Sequence, residues 1–264
     1  MKKIFISGAT DGIGLATAKS FAALGHELIL HGRNSEKLQL AIAEVAAINP
    51  EVQVHSYLAD LAYFSQVLGL IAQIKEDHKQ IDTIINNAGV FKTAKPMLEN
   101  GMDVRFVVNT ISACAIAIGL LPLLSESGRI LNLSSAAQAP VDLQALLGIK
   151  SINDDFQAYA QSKLAITIWT AEMAKQLKSD QVIVAVNPGS LLASKMVQEG
   201  FGIAGNDLSI GAEILVRASL SQSFKDASGK YYDNDAKQFS AVTENVEKNE
   251  QLITTIDAIL GKHF

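Results

Sequence analysis

The chain has almost nothing to hold it together covalently: one cysteine, Cys114, in 264 residues. That excludes an internal disulfide framework and any cysteine-based zinc site, and it fits a reducing, cytoplasmic compartment. Basic residues are also in deficit, with 22 Lys and Arg against 27 Asp and Glu, a formal charge of −5. A nucleic-acid binder carries a basic face, so no nucleic-acid partner is expected. The five histidines, His26, His31, His55, His78 and His263, show no ligand spacing, so no metal is expected. There is no Gly/Ser/Pro linker, no fixed-period repeat and no low-complexity tract. With 48% hydrophobic and 19% charged residues the chain is too apolar for disorder. The expectation is one domain spanning 1–264.

Two apolar stretches imitate membrane or export signals. Met1 to Ile6 has the charged start of a signal peptide, but the apolar run fails at Gly8 and Asp11 follows. Phe106 to Ser125 is twenty residues without a charge, long enough to span a bilayer. Asn109, Thr110, Ser112 and Pro122 interrupt it, and a helix apolar all round also suits burial between a sheet and a partner. A buried helix is preferred, and no membrane span is expected.

What is present is an alternation of short strand-like runs with longer helical patterns. Strands are expected at Lys3 to Ser7, Glu27 to His31, Val52 to Tyr57, Asp82 to Asn86, Arg129 to Leu133 and Val182 to Val186. Helices are expected at about Ile13 to Leu24, Ser35 to Ile48 with Ser35 as cap, Phe64 to Asp77, Met97 to Leu124 and Ala158 to Leu177. The polar stretch Asp226 to Asn249 reads as surface with a short strand near Tyr231-Tyr232. Such alternation implies a doubly wound, mainly parallel α/β sheet with helices on both faces, Rossmann-like.

Gly8-Ala9-Thr10-Asp11-Gly12-Ile13-Gly14 lies between the first strand and helix. Glycines there permit positive φ and close approach of a pyrophosphate to a helix N-terminus, although a tight turn without ligand gives the same pattern. The spacing is not that of a P-loop, since no Lys-Ser/Thr pair follows. At the end of the second strand, Arg33 and Asn34 stand where an acidic residue would select NAD, so NADP is favoured over NAD. Asp11 stands to oppose that phosphate, and Arg33 also reads as a solvated loop cation. Asp60, followed by Leu61, offers a carboxylate to adenine or a cap to the next helix, with equal weight. Asn86-Asn87-Ala88-Gly89 ends the fourth strand, where small residues admit a ligand and the amides can tie strands together.

Tyr159-Ala160-Gln161-Ser162-Lys163 places a phenol and an ammonium on one helix face. A nearby cation favours phenolate, so Lys163 is expected to lower the Tyr159 pKa. Ser134-Ser135 ends the fifth strand, where alternation lets only one of the two face a site.

This ordered set resembles the compact short-chain dehydrogenase/reductase family, over nearly the whole chain: Gly8, Gly12 and Gly14, then Asp60, Asn86 to Gly89, Asn109, Ser135, Tyr159 with Lys163, and Asn187-Pro188-Gly189. The resemblance implies a catalytic tetrad of Asn109, Ser135, Tyr159 and Lys163, with Asn109 holding a water between Lys163 and solvent. It implies cofactor contacts from Gly8, Thr10, Asp11, Gly12, Ile13, Gly14, Arg33, Asn34, Asp60, Leu61, Asn87, Ala88 and Gly89. Tyr159, Lys163, Pro188, Gly189, Leu191 and Ser194 complete that set. Ser7 replaces the more usual Thr, and the 24-position gap from Ser135 to Tyr159 is long. The insert, roughly Gln138 to Phe156, reads as a loop with a short turn. It is similar to that of retinol-dehydrogenase-like and WW-domain-oxidoreductase-like members.

The function implied is hydride transfer between a nicotinamide and a small-molecule carbonyl or alcohol, with NADPH preferred and an apolar substrate. The segment of about 190–225 is expected to cover the substrate, with Leu191 to Gly205 either a lid or a plain loop. An NAD-dependent sugar or polyol dehydrogenase is the alternative within enzymes, and a nucleotide-binding redox sensor or scaffold without turnover the alternative outside them. The apolar helix and the helix after Ala158 could bury matching faces of a partner copy, so a homo-oligomer, dimer or tetramer, is expected.

Overall fold

A computed structural model of the chain describes all residues except 194–197, 199–201, 203, 243–245 and 263–264. Seven parallel strands, β1 (Lys3–Ile6), β2 (Glu27–Gly32), β3 (Val54–Leu58), β4 (Ile81–Asn86), β5 (Leu124–Leu133), β6 (Val182–Asn187) and β7 (Lys230–Asp233), form one sheet. β8 (Gln238–Ala241) adds antiparallel to β7, and the order is β3-β2-β1-β4-β5-β6-β7-β8. The central strands are apolar on both faces, as a doubly covered sheet requires: Ile4, Phe5, Ile6, Ile84 and Ile85 are all fully buried. The chain leaves β1 in one direction and returns through β4 in the other, so a crevice opens past the carboxyl ends of these two neighbours.

One face is packed by α1 (Gly12–Ala23), α2 (Ser35–Ile48) and α7 (Leu208–Leu220). The other carries α3 (Phe64–Asp77), α4 (Val104–Leu123), α6 (Asp155–Met173) and α8 (Val246–Leu260), with α5 (Leu143–Leu146) in the insert. The doubly wound sheet is the architecture the alternation implies. Several boundaries differ. Asn34, not Ser35, caps α2, its side chain accepting from the Lys37 N–H at 2.9 Å. β3 starts at Val54 rather than Val52, and β5 reaches back to Leu124 through a register irregularity opposite Ile81 to Thr83.

The expected helix from Met97 begins only at Val104. Before it, Met97 bridges to Asp103 and Gly101 takes φ +82, a hairpin-like approach that apolar periodicity does not reveal. Asp103 caps the helix by accepting from the Arg105 N–H. Inside α4 the residues Val107–Ile111 form a wider π turn, followed by a regular stretch Ser112–Leu120. Such one-turn π segments recur at functional sites, and this one contains Asn109. Among the described residues α4 is the helix long and apolar enough to cross a membrane, and 78% of its apolar stretch is buried inside the fold.

α8 packs against α6 and the π turn of α4, burying Leu252, Ile256, Ile259 and Leu260 in the same core as Ile111, Cys114 and Ile168. The two faces that suggested a partner copy are thus covered by the chain's own last helix, which the polar stretch before it concealed. Within the segment 190–225, α7 packs on α1 in the far-face core, and its first turn, at Ile210 and Gly211, lies against Gly189, Leu192 and Ile13 at the crevice.

Candidate active site

The turn after β1 is built by close approach. Gly8 adopts φ +65, and a Cβ there would lie 2.9 Å from the Ala88 Cα. A Cβ on Gly14 would fall 2.3 Å from the Gly8 carbonyl oxygen and 2.5 Å from Asn87 Nδ2. The Asn87 amide donates to the carbonyls of Ser7 (2.9 Å) and Gly8 (3.0 Å), tying the end of β4 to this turn. The Ser7 hydroxyl accepts from the Asn87 and Ala88 N–H groups, so serine does here what the more usual threonine hydroxyl would do.

Asp11 caps α1 by accepting from the Gly12 N–H at 2.8 Å. The N–H groups of Ile13 and Gly14 make no hydrogen bond among the described residues. Two unpaired amides at the N-terminus of a twelve-residue helix fit a pyrophosphate.

His31, which sequence left without a role, holds this turn from below. Its Nδ1 accepts from the Gly8 N–H (3.2 Å), while Nε2 donates to the Ala59 carbonyl (2.9 Å). Burial lowers its pKa to about 4 from the ordinary 6.5. The unfolded chain therefore takes up a proton that the folded protein refuses, and stability is complete above pH 6.5 but declines as pH falls toward 4. The expected loss is about 2 kcal/mol between pH 7.5 and pH 5. Urea midpoints at the two pH values measure it. A His31→Gln variant should lose most of this slope, and an unchanged slope would refute the assignment.

Past β2, Arg33 is exposed and pairs with no carboxylate among the described residues. Lys37 lies 3.6 Å from Asp11, so the carboxylate expected to oppose a phosphate is already matched by a cation. Lys37 is a residue the sequence reading missed. Asn34 is occupied as the α2 cap. Asp60 does not cap α3, whose N-cap is Tyr63. Its Oδ1 accepts from the Ala62 N–H at 3.0 Å within the turn after β3, and Leu61 is buried there.

On the other side of the crevice α6 brings Tyr159 and Lys163 together. The Lys163 ammonium lies 5.5 Å from the Tyr159 ring centroid and donates to the Leu133 carbonyl at 2.7 Å. Burial lowers its pKa to about 8. Burial pushes the Tyr159 phenol upward, with the Ser135 hydroxyl opposing the shift. The expected lowering of the phenol pKa by Lys163 is therefore not what the structure displays: desolvation raises it, and the opposing influence comes from Ser135. Ser134 turns away to Thr167 Oγ1 (2.6 Å) and the Lys163 carbonyl, while the Ser135 hydroxyl accepts from the Ala137 N–H at 3.1 Å. Asn109 spends both amide hydrogens, on the Val90 carbonyl and Ser162 Oγ, and accepts from the Val90 N–H at 2.7 Å. It clamps the strand end carrying Gly89 to α6.

A cavity of about 250 Å³ opens onto Ser135 and Tyr159, walled by Ile13, Phe91, Phe156, Pro188, Leu191 and Leu192. Of the expected substrate-covering segment, Ser190 to Leu192 line it, with Leu191 at φ +53, whereas Ser194 lies outside the described residues. Over this structure the family profile of short chain dehydrogenases matches residues 2–202. The chain belongs to the short chain dehydrogenase family. It is an NAD(P)-dependent oxidoreductase.

The chain is 30% identical over 253 residues to retinol dehydrogenase 13 of Homo sapiens, covering 88% of this chain and 76% of that protein. It is 30% identical over 275 residues to retinol dehydrogenase 12 of Bos taurus, covering 98% and 86%. Among solved structures, an uncharacterized protein from Mycobacterium paratuberculosis shares the fold at TM-score 0.78 and 22% identity, covering 99% and 94% of the two chains. A short chain dehydrogenase from Shigella flexneri complexed with NADP aligns at TM-score 0.70 and 23% identity, covering 89% and 97%.

Three features of this dehydrogenase escape its sequence. Tyr231, on β7, donates from its hydroxyl to the Ser135 carbonyl at 3.1 Å, beside Gln138 Nε2 at 2.9 Å, so the serine loop is pinned from two sides. Phe91 stacks at 5.2 Å from Tyr159, ring centroid to centroid. Asp235 accepts from the N–H and hydroxyl of Ser190 and from the Asn187 amide, and so fixes the loop after β6 that carries Pro188 and Gly189. All three reach the site from parts of the chain whose local patterns carry no such signal.

Proposed function

We propose that the chain is an NADPH-preferring dehydrogenase/reductase acting on an apolar carbonyl or alcohol in the cytoplasm, the last on the strength of its one, buried, cysteine. The observation that carries the cofactor preference is the exposed Arg33 at the end of β2, which pairs with no carboxylate among the described residues, with Lys37 matching Asp11 beside it. A guanidinium pairs with a 2′-phosphate in bidentate fashion, and no carboxylate follows β2 before Glu36 to favour bare ribose hydroxyls. Asp11, the carboxylate within the glycine turn, is already spent on capping and on Lys37.

A nicotinamide supplies or accepts the hydride when bound; this chain's residues hold it and move the proton. The amides of Ile13 and Gly14 would hold the pyrophosphate, and Lys163 would hydrogen-bond a ribose of the cofactor. The Tyr159 hydroxyl gives its proton to the substrate oxygen in reduction and takes one in oxidation. Ser135 Oγ donates to that same oxygen where negative charge develops. Asn109 holds the strand end and α6 in register, and a water relay from Lys163 belongs to the same proposal.

The wall of Phe91, Phe156, Pro188, Leu191 and Leu192 favours an apolar substrate. Curated relatives named for retinol support the same class. A homo-oligomer would have to use surfaces other than the α4 and α6 faces that α8 covers. The test is a carbonyl and alcohol panel with both cofactors, from small polar to large apolar compounds. Arg33→Ala should weaken NADPH binding about tenfold or more while leaving NADH within about twofold, since a charged hydrogen-bonding contact contributes roughly 1.5–3 kcal/mol. Equal losses for both cofactors would overturn the preference.

A further inference from the structure

At the amino-terminal edge of the sheet, opposite the crevice, four elements meet at one point. Lys3 opens β1, Glu27 opens β2, His55 is the second residue of β3, and His78 follows α3. Glu27 Oε1 accepts from Lys3 Nζ at 2.9 Å and lies 3.0 Å from His55 Nε2. His78 Nδ1 lies 3.2 Å from the same Lys3 ammonium. One carboxylate oxygen and two imidazole nitrogens therefore lie within 4.8 Å of one another. These histidines are 23 positions apart with no ligand spacing, so only the parallel register of β2 with β3 and the return of α3 bring them together.

The orientation of His78 is fixed from behind. The Tyr57 hydroxyl donates its proton to Asp77 Oδ2 at 2.7 Å, so toward His78 Nε2, 3.0 Å away, it accepts. His78 is thereby held as the Nε2–H tautomer, with the Nδ1 lone pair aimed at the cluster. A carboxylate acting on the far side of an imidazole is the outer support that metal-ligating histidines commonly have. His78 itself is 2% exposed and Glu27 side chain 11%, while His55 is 40% exposed and free to exchange its proton with solvent.

We propose that Glu27 Oε1, His55 Nε2 and His78 Nδ1 form a binding site for a divalent transition metal ion, Zn²⁺ by its ligand set, with the Lys3 ammonium as the cation the metal displaces. Two imidazoles and one carboxylate with a water as fourth ligand form a tetrahedral zinc set. On binding, Lys3 swings outward as an ammonium; its side chain is already 24% exposed. His55 shifts its proton from Nε2 to Nδ1 through solvent, so no net proton is gained or lost there. The bound ion would tie β1, β2, β3 and α3 together at the end of the sheet remote from hydride transfer.

The test is isothermal titration of tag-free, chelator-treated protein with zinc chloride. One equivalent is expected to bind. His55→Ala, at a half-buried position on the sheet edge remote from the crevice, should weaken binding about tenfold or more and leave turnover unchanged. Tyr57→Phe, which frees the His78 tautomer, should weaken it less. Lys3→Met is the decisive variant: removing the competing ammonium should tighten zinc binding, whereas a purely structural ion-pair network predicts no such gain. Absence of saturable binding, binding that survives His55→Ala unchanged, or weaker binding in Lys3→Met would each overturn the proposal.

Discussion

Tyr159→Phe should lower kcat about a thousandfold, within the range that loss of a positioned general acid or base produces. The substitution deletes one oxygen and keeps the ring, so the stacking on Phe91 at 5.2 Å and the packing of α6 stay in place. Cofactor affinity should change less than about twofold, because the pyrophosphate turn and Lys163 are untouched. The split is informative. A structural role for Tyr159 would shift thermal stability and cofactor binding along with turnover, and a phenol that merely positions substrate would raise KM at constant kcat. Stopped-flow measurement of a single turnover, with NADPH affinity measured in parallel, separates these outcomes. Turnover surviving the change undiminished would remove Tyr159 from the proton path. Burial is what makes the phenol a committed donor at neutral pH: it raises the Tyr159 pKa, while the same burial brings Lys163 down to about 8. The two shifts move the proton affinities of the pair apart, so near neutral pH Lys163 is the member that exchanges its proton more readily while the phenol keeps its own.

How much of this was legible beforehand follows from how local each feature is. The Gly8 to Gly14 turn and the Tyr159/Lys163 pair are set by spacings of a few residues, so turn chemistry and periodicity place them, while their roles come from the order in which they follow one another along the chain. The choice between Ser134 and Ser135 was legible in principle, since alternation allows one only, and the structure sends Ser134 into α6. Tyr231 was not legible as a site residue: it reaches Ser135 across 96 positions because β7 lies beside β6. The π turn at Val107–Ile111 is invisible to an apolar run, because a uniformly hydrophobic stretch has no phase in which an extra residue could register. The covering of α4 and α6 by α8 failed for a different reason. A buried face reads identically whether a partner copy or the chain's own end covers it. His31 was passed over because a lone histidine in a strand carries no local sign of the two backbone groups it joins.

Arg105 carries the largest expected effect on stability. Its guanidinium is 1% exposed and grips Asp103 with two bonds, Nε to Oδ1 at 2.8 Å and Nη2 to Oδ2 at 2.6 Å, while Nη1 reaches Asp155 Oδ1 at 2.5 Å. Asp103 begins α4 and Asp155 sits in the first turn of α6, so one cation joins the starts of the two helices that carry Asn109 and Tyr159. Arg105→Met would leave the Asp103 carboxylate, 3% exposed, buried without a countercharge. Removing one partner of such a pair costs about 3–5 kcal/mol, and Tm should fall by roughly 10 °C for a chain of this size. The cost lies mainly in the stranded charge rather than in lost attraction. Adding Asp103→Asn, which keeps an oxygen to cap α4 but removes the charge, should therefore recover more than half of the loss. A double variant no more stable than Arg105→Met would mean that the guanidinium acts through packing and its bond to Asp155 instead. Calorimetry on the single and double variants decides between the two. In the molecules that stay folded, turnover should fall less than in Tyr159→Phe, because Arg105 holds the helices that position the reacting groups without touching them.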